Sequence, residues 1–295
     1  MKSINIYLLF ALSLGVILTL IVGAGFLFSE RRPISLSAED HYVSVLGSKI
    51  RYRIHENENK NENERPVILL LHGFGGSLHY WSEIQPMLSH NKSIAIDLVG
   101  FGGSDKPPIS YDLDTQWRYL HAFMTELNIQ NIVIVGISMG GSLSAWTAAK
   151  SKDRVVGLIM IAPSGFSGSL YKNWPINWFY RPGIPNRIAW VIVNNPLYRW
   201  LFPNSLAAQA LSVTNSYNSQ FDEALKNINQ PALLAWSQGD TTSLFRYRSE
   251  YKQRITNLEL LELPASLDHS VLERFPQGTA SFINKFVDKL SLKQN

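Results

Sequence analysis

Residues 132–141 read Ile132-Val133-Ile134-Val135-Gly136-Ile137-Ser138-Met139-Gly140-Gly141, and the fold turns on how that stretch is read. Four β-branched residues in a row indicate a strand buried on both faces. They run into Gly136-Ile137-Ser138-Met139-Gly140, a G-x-S-x-G sequence, and the Ala- and Ser-containing stretch Gly141 to Lys150 that follows can be helical. The glycines allow a sharp turn from strand to helix, which leaves the Ser138 hydroxyl exposed as a nucleophile. A tight turn without chemistry has the same local spelling, so the partners elsewhere in the chain decide between the two.

Outward from this turn, short runs rich in Val, Ile and Leu recur at Val67 to Leu71, Ser93 to Leu98, Val155 to Ile161, Ala232 to Trp236 and Leu258 to Leu263, separated mostly by helix-length stretches. Strands alternating with helices predict an α/β protein with a doubly wound, mostly parallel sheet. Ahead of them, His41 to Leu46 and Ile50 to Ile54 alternate in character around Gly47-Ser48 and read as a β-hairpin. Glu56 to Glu64 contains only Asn, Glu and Lys and reads as a solvated loop. The interval Pro163 to Gln230 is too long for a plain loop and carries Trp174, Trp178, Phe179, Trp190, Trp200 and Phe202, so an inserted helical cap is expected there. The organisation predicted is an N-terminal anchor or signal over 1–30, a first part of the core over 31–162, the cap over 163–230 and a second part of the core over 231–295.

Of the 295 residues 45% are hydrophobic and 17% charged, which is too apolar for disorder and enough for a sizeable core. The net charge of +4 comes from scattered Lys and Arg without the stripe that nucleic acid requires, so that partner is set aside. There is no cysteine, which excludes disulfides, thiolate metal sites and a cysteine nucleophile. Neither H-E-x-x-H nor a glycine-rich phosphate loop occurs, and no metal and no cofactor are expected.

Ile4 to Phe28 carries no charged residue, a run longer than the roughly 20 residues that span a bilayer core. It reads as a transmembrane helix, a single uncleaved pass that tethers the protein to a membrane, in preference to a secretory signal cut near Val22-Gly23-Ala24. Arg31 and Arg32 argue for a domain kept inside and the very short N-terminal tail for export, with the reading leaning to export.

A serine hydroxyl needs a base to take its proton. Of the seven histidines, His269 follows the last predicted strand in Leu263-Pro264-Ala265-Ser266-Leu267-Asp268-His269, which puts it at the carboxyl edge of the sheet where chemistry collects in open α/β folds. His72 more plausibly shapes the loop it opens, and the others lie in segments that read as surface. The base needs a carboxylate to orient it. Asp240 ends Trp236-Ser237-Gln238-Gly239-Asp240 at the same edge and is preferred to Asp268, whose position next to the histidine makes the two side chains diverge. Negative charge on a reacting carbonyl oxygen calls for two backbone N–H donors. Met139, next after the serine, is one, and Phe74 in His72-Gly73-Phe74-Gly75-Gly76-Ser77 is the other.

The order Ser, Asp, His on an alternating sheet, with the His72-Gly73 loop, resembles the α/β-hydrolase fold superfamily. Asp97-Leu98-Val99-Gly100-Phe101-Gly102-Gly103-Ser104-Asp105-Lys106-Pro107 resembles the D-x-x-G-x-G-x-S-D-x-P loop of its capped members, esterases, epoxide hydrolases, dehalogenases and C–C bond hydrolases among them. The resemblance covers about 41–290 and implies that this loop is structural, so Asp97 and Asp105 are not the catalytic acids. Dehalogenases and epoxide hydrolases of this kind carry an aspartate where Ser138 stands, which argues against both activities here. Two departures are visible: Ser237 stands where relatives commonly have Gly, and Asp268 where Gly often precedes the histidine.

The function expected is hydrolysis of carboxylic esters by Ser138, His269 and Asp240 through an acyl-enzyme, the partner being a small-molecule ester, with a lipid-like one suggested by the tether and the aromatic cap. One alternative keeps the residues and changes the bond, to C–C hydrolysis or acyl transfer, with Arg181, Arg187 or Arg199 receiving a substrate carboxylate. The other is a binding protein of this fold without turnover.

Overall fold

A computed structural model describes residues 36–56, 65–88, 92–165, 184–202, 205–213 and 219–294, with the isolated positions 13 and 15. Its centre is an eight-stranded sheet in the order β1-β2-β4-β3-β5-β6-β7-β8. β1 (Asp40–Val45) and β2 (Ser48–His55) form the predicted hairpin, and β2 pairs antiparallel with β4 (Ser93–Ile96). β3 (Val67–Leu71), β4, β5 (Ile132–Ile137), β6 (Val155–Ile161), β7 (Ala232–Ser237) and β8 (Leu258–Leu263) run parallel.

The period of a strand explains the two cores. Leu69, Leu71, Ile132 and Ile134 face one layer, while Ile68, Leu70, Val133 and Val135 face the other. The first layer is closed by α1 (Leu113–Glu126) and α2 (Met139–Lys150), the second by the C-terminal helix α9 (Pro276–Gln294) through Ile283, Phe286, Val287 and Leu290. α1 starts where Asp112 accepts a hydrogen bond from Thr115 N–H, an N-cap of the usual kind.

Between β6 and β7 the described residues hold four helices: α3 (Ile184–Val193), α4 (Pro196–Leu201), α5 (Ala207–Val213) and α6 (Ser219–Lys226). α7 (Arg248–Arg254) and the short α8 (Val271–Arg274) follow β7 and β8 respectively. The expected β4 run of Ser93 to Leu98 ends two residues early, because Asp97 and Leu98 are drawn into bonds described below. The apolar run Ile4 to Phe28, apart from positions 13 and 15, lies outside the described residues, as do Trp174, Trp178, Phe179 and Arg181 of the insertion and all but Glu56 of the Glu56 to Glu64 loop. Among the described residues no helix is long and apolar enough to cross a membrane.

Candidate active site

Because β3, β5, β7 and β8 are parallel, the residues that follow each of them gather at one edge of the sheet. Ser138 comes directly off β5 with φ 55° and ψ −118°, left-handed geometry that costs a non-glycine residue about 1–3 kcal/mol. The turn can be this tight only because its neighbours lack side chains. A Cβ at Gly136 would collide with the Gly140 carbonyl, and one at Gly140 with the His72 carbonyl. The backbone is then pinned: Ser138 N–H donates to Ile161 O at 2.9 Å, and its carbonyl accepts from Ser142 and Ser164 N–H, both at 3.1 Å.

The loop after β7 brings Asp240, whose side chain is fully buried, against His269 from the loop after β8: His269 Nδ1 stands 2.8 Å from Asp240 Oδ2. The second carboxylate oxygen, Oδ1, accepts from Thr242 and Ser243 N–H, each at 2.9 Å, so the acid is held at both ends. With Nδ1 donating to a carboxylate, His269 presents Nε2 as the free acceptor, the tautomer that a general base requires. Asp268 turns elsewhere. It accepts from Ser270 N–H at 2.8 Å and faces Arg274 at 3.4 Å, and the Ser270 amide holds its carboxyl below the usual range.

Ser237 joins the two loops. Its buried hydroxyl donates to the carbonyls of Pro264, at 2.8 Å, and Leu267, while accepting from Gly239 N–H at 3.1 Å. A Cβ at Gly239 would strike the Ala265 carbonyl, so the acid loop and the histidine loop touch through their backbones. As a departure from the family pattern, this serine was expected to alter the acid loop and the histidine's seat modestly. The signal was a hydroxyl where the motif has none, and its partners could not be read without the fold.

On the other side of Ser138, Gly73 passes so close that a Cβ there would lie 3.2 Å from the serine's own Cβ. Phe74 follows, its ring edge-on to Phe101 with centroids 5.6 Å apart. Its N–H has no acceptor among the described residues. Met139 is the first residue of α2, where a helical N–H has no partner within the helix. Two amides are therefore available beside the serine. His72 is fully buried, donating from Nδ1 to Gly73 O at 2.7 Å and accepting from Leu98 N–H at 3.1 Å on Nε2. Burial pushes its imidazole below the ordinary value of 6.5, which fits a neutral ring that shapes the loop.

Asp97 anchors the neighbouring loop, accepting from Arg51 Nε at 2.7 Å and from Leu78 and Gly103 N–H, both at 2.6 Å. Both members of the Arg51–Asp97 pair are buried. Asp105 accepts from Lys49 N–H at 2.8 Å. Arg199 donates to the Lys106 carbonyl, and Arg187 is exposed.

A family model described as alpha/beta hydrolase fold matches residues 66–197. The chain has the α/β-hydrolase fold. Among curated relatives, a haloalkane dehalogenase of Mesorhizobium japonicum is 39% identical over 128 residues, 43% of this chain and 40% of the relative. A 2-hydroxy-6-oxo-2,4-heptadienoate hydrolase of Pseudomonas putida is 32% identical over 124 residues, 40% of this chain and 45% of that one. The matches thus span less than half the length of these relatives. Among solved structures, this α/β-hydrolase-fold chain aligns with a membrane phospholipase A, described as a bacterial virulence factor, with TM-score 0.64 and 24% identity over 97% of both chains. Among the described residues, no group of three or more His, Asp or Glu side chains could hold a metal ion.

Proposed function

We propose that the protein is a serine hydrolase of carboxylic esters, with Ser138 as nucleophile, His269 as general base and then acid, and Asp240 as the group that orients and stabilises the imidazolium. One observation carries this reading: a serine on a strained strand-to-helix turn at the same sheet edge as a histidine hydrogen-bonded at 2.8 Å to a buried aspartate. Ser138 Oγ attacks the acyl carbon while His269 Nε2 takes its proton, and the Phe74 and Met139 amides receive the charge that forms on the carbonyl oxygen. The tetrahedral intermediate collapses as His269 returns the proton to the leaving alcohol, and water repeats the sequence on the acyl-enzyme.

The helices between β6 and β7 form a cap over this edge, and the ester is lipid-like. The first part is supported by Gln209 of α5, whose Nε2 donates to Gly100 O at 2.8 Å, and by Arg199, which binds Lys106. The second is supported by the uncharged run Ile4 to Phe28, read as a membrane tether with the domain on the exported side, and by the full-length likeness to a membrane phospholipase A. Dehalogenation is disfavoured by Ser138, which stands where the dehalogenase pattern has aspartate.

Hydrolysis of a chain-length series of nitrophenyl esters, wild type beside Ser138→Ala, tests the reading. Turnover by wild type that drops at least about a thousandfold in the mutant supports it, and the best chain length reports the pocket. A folded wild type no faster than the mutant overturns it.

The relative that hydrolyses 2-hydroxy-6-oxo-2,4-heptadienoate favours a second reading, C–C bond hydrolysis by the same residues. Of Arg181, Arg187 and Arg199, Arg199 donates to Lys106 and Arg181 lies outside the described residues, so the exposed Arg187 is the candidate to meet a substrate carboxylate. Loss of turnover of an acidic diketone in Arg187→Ala, with neutral esters unaffected, would favour this second reading.

A further inference from the structure

Two consecutive helices of the insertion hold large apolar side chains out in water. On α3, Ile188 and Val191 are 56% and 63% exposed, and on α4, Leu197, Trp200 and Leu201 are 62%, 75% and 54% exposed. Spacings of three and four residues put each set on one helix face, and the two helices touch. Val193 and Tyr198 on the same helices are buried, so the inward faces are already occupied by packing and the outward ones are additional. A monomer in water rarely keeps a grouped apolar surface of this kind without a partner.

Charge indicates which partner. From Arg154 to Phe221 the chain has no Asp or Glu, and its only charged residues are Arg154, Lys172, Arg181, Arg187 and Arg199. An apolar face that includes Trp200, in a stretch of sequence whose only charges are basic, matches the boundary between acyl chains and anionic headgroups. A protein surface would more often be met with charges of both signs. The uncharged run Ile4 to Phe28 supplies the bilayer. From Phe28 to Leu36 the chain reaches at most about 29 Å, more than the roughly 20 Å of a six-residue strand, so a fold hung from that run can lie along the membrane with α3 and α4 against it.

We infer that the outer face of α3 and α4 is a bilayer-contact surface that seats the protein on anionic phospholipid beside its active-site edge. Leu206, just before α5, comes within 3.5 Å of where a Cβ at Gly75 would stand, so the helical insertion that carries this face reaches the loop of Phe74. The inference adds a surface to the tether and ester reading above and rests on that tether. Its test reads contact with lipid, not turnover, so failure here and failure of the catalytic assignment are distinguishable.

The chain has no native cysteine, so single cysteines can be labelled cleanly. The full chain carrying Leu197→Cys or Leu201→Cys, labelled with an environment-sensitive fluorophore, is reconstituted into phosphatidylcholine–phosphatidylglycerol vesicles containing doxyl-labelled lipid. A label at Leu292→Cys, a site 79% exposed on α9, is the control. The expected result is a blue shift and roughly twofold or greater quenching at positions 197 and 201 with little at 292. Equal quenching at all three sites overturns the inference, and so does a chain that fails to float with vesicles. Pyrene excimers between chains labelled at 201, without quenching by lipid, also overturn it by assigning the face to a second copy. As a second readout, the double variant Trp200→Glu with Leu201→Glu should keep its rate on soluble nitrophenyl esters and lose about tenfold on vesicle-borne ester. Loss on both substrates, or on neither, counts against a lipid-facing role.

Discussion

Asp240 and His269 are 29 residues apart in sequence and meet because β7 and β8 run parallel and end at one edge, the edge at which Ser138 follows β5. Asp240→Asn is expected to lower kcat by about 10³ to 10⁴-fold, because an amide in place of the carboxylate stabilises the wrong histidine tautomer. Asp268→Asn should change little, since Asp268 bonds Ser270 and Arg274 instead. Steady-state kinetics on one nitrophenyl ester separate the two, and a loss in Asp268→Asn matching that in Asp240→Asn would reverse the assignment. Ser237→Ala removes the hydroxyl that ties Leu267 O to Gly239 N–H, so the acid and histidine loops lose a fixed spacing. It should cost kcat about tenfold with KM nearly unchanged, as a small displacement of a general base does. The positions of Asp240 and His269 at one sheet edge could be read from the sequence because each follows a short apolar strand. That of Arg51 could not, because an arginine in a hairpin of alternating character reads as solvent-facing, while its partner Asp97 is 46 residues away.

Whole elements follow from the same constraints. β5 and α2 share a junction in which Gly136 and Gly140 leave no room for a methyl group. Gly136→Ala should therefore destabilise the fold by about 1–3 kcal/mol, seen as a lower urea midpoint, since the Gly140 backbone would have to move. An unchanged midpoint would mean that the turn relaxes more easily than its packing implies. The strand runs were largely legible because apolar stretches without polar alternation have few other uses. The end of β4 was not: Asp97 keeps its N–H on the Arg51 carbonyl while its carboxylate binds the Arg51 side chain, and Leu98 gives its N–H to His72, long-range bonds that no local pattern announces. Asp97→Ala would remove the closer carboxylate from buried Arg51, leaving Asp40 at 3.4 Å, and is expected to cost about 3 kcal/mol in urea denaturation.

At the scale of the molecule, His72 couples stability to pH. Burial keeps it neutral when folded, with its pKa below 6.5, while the unfolded chain takes up a proton near that value. The unfolded state then binds more protons, so the stability gained from a neutral His72 is present above about pH 6.5 and is lost as pH falls towards the lower folded pKa. Urea midpoints should drop from pH 7 to pH 5.5 in wild type and drop less in His72→Gln. Equal slopes in the two proteins would assign the effect to other groups. The described helices between β6 and β7 fall in a stretch that trades aliphatic runs for Trp, Pro and Asn. Which faces of its helices pack and which stay in water depends on contacts with the Gly100 to Lys106 loop, and these follow from the folded chain alone.

The catalytic assignment is tested most directly by intact-mass and peptide analysis after reaction with a fluorophosphonate, which phosphonylates only an activated serine. The account predicts one adduct on the peptide containing Ser138, absent in Ser138→Ala and formed far more slowly in His269→Ala. A folded wild-type protein that does not react, or that carries the adduct on a different serine, would contradict it.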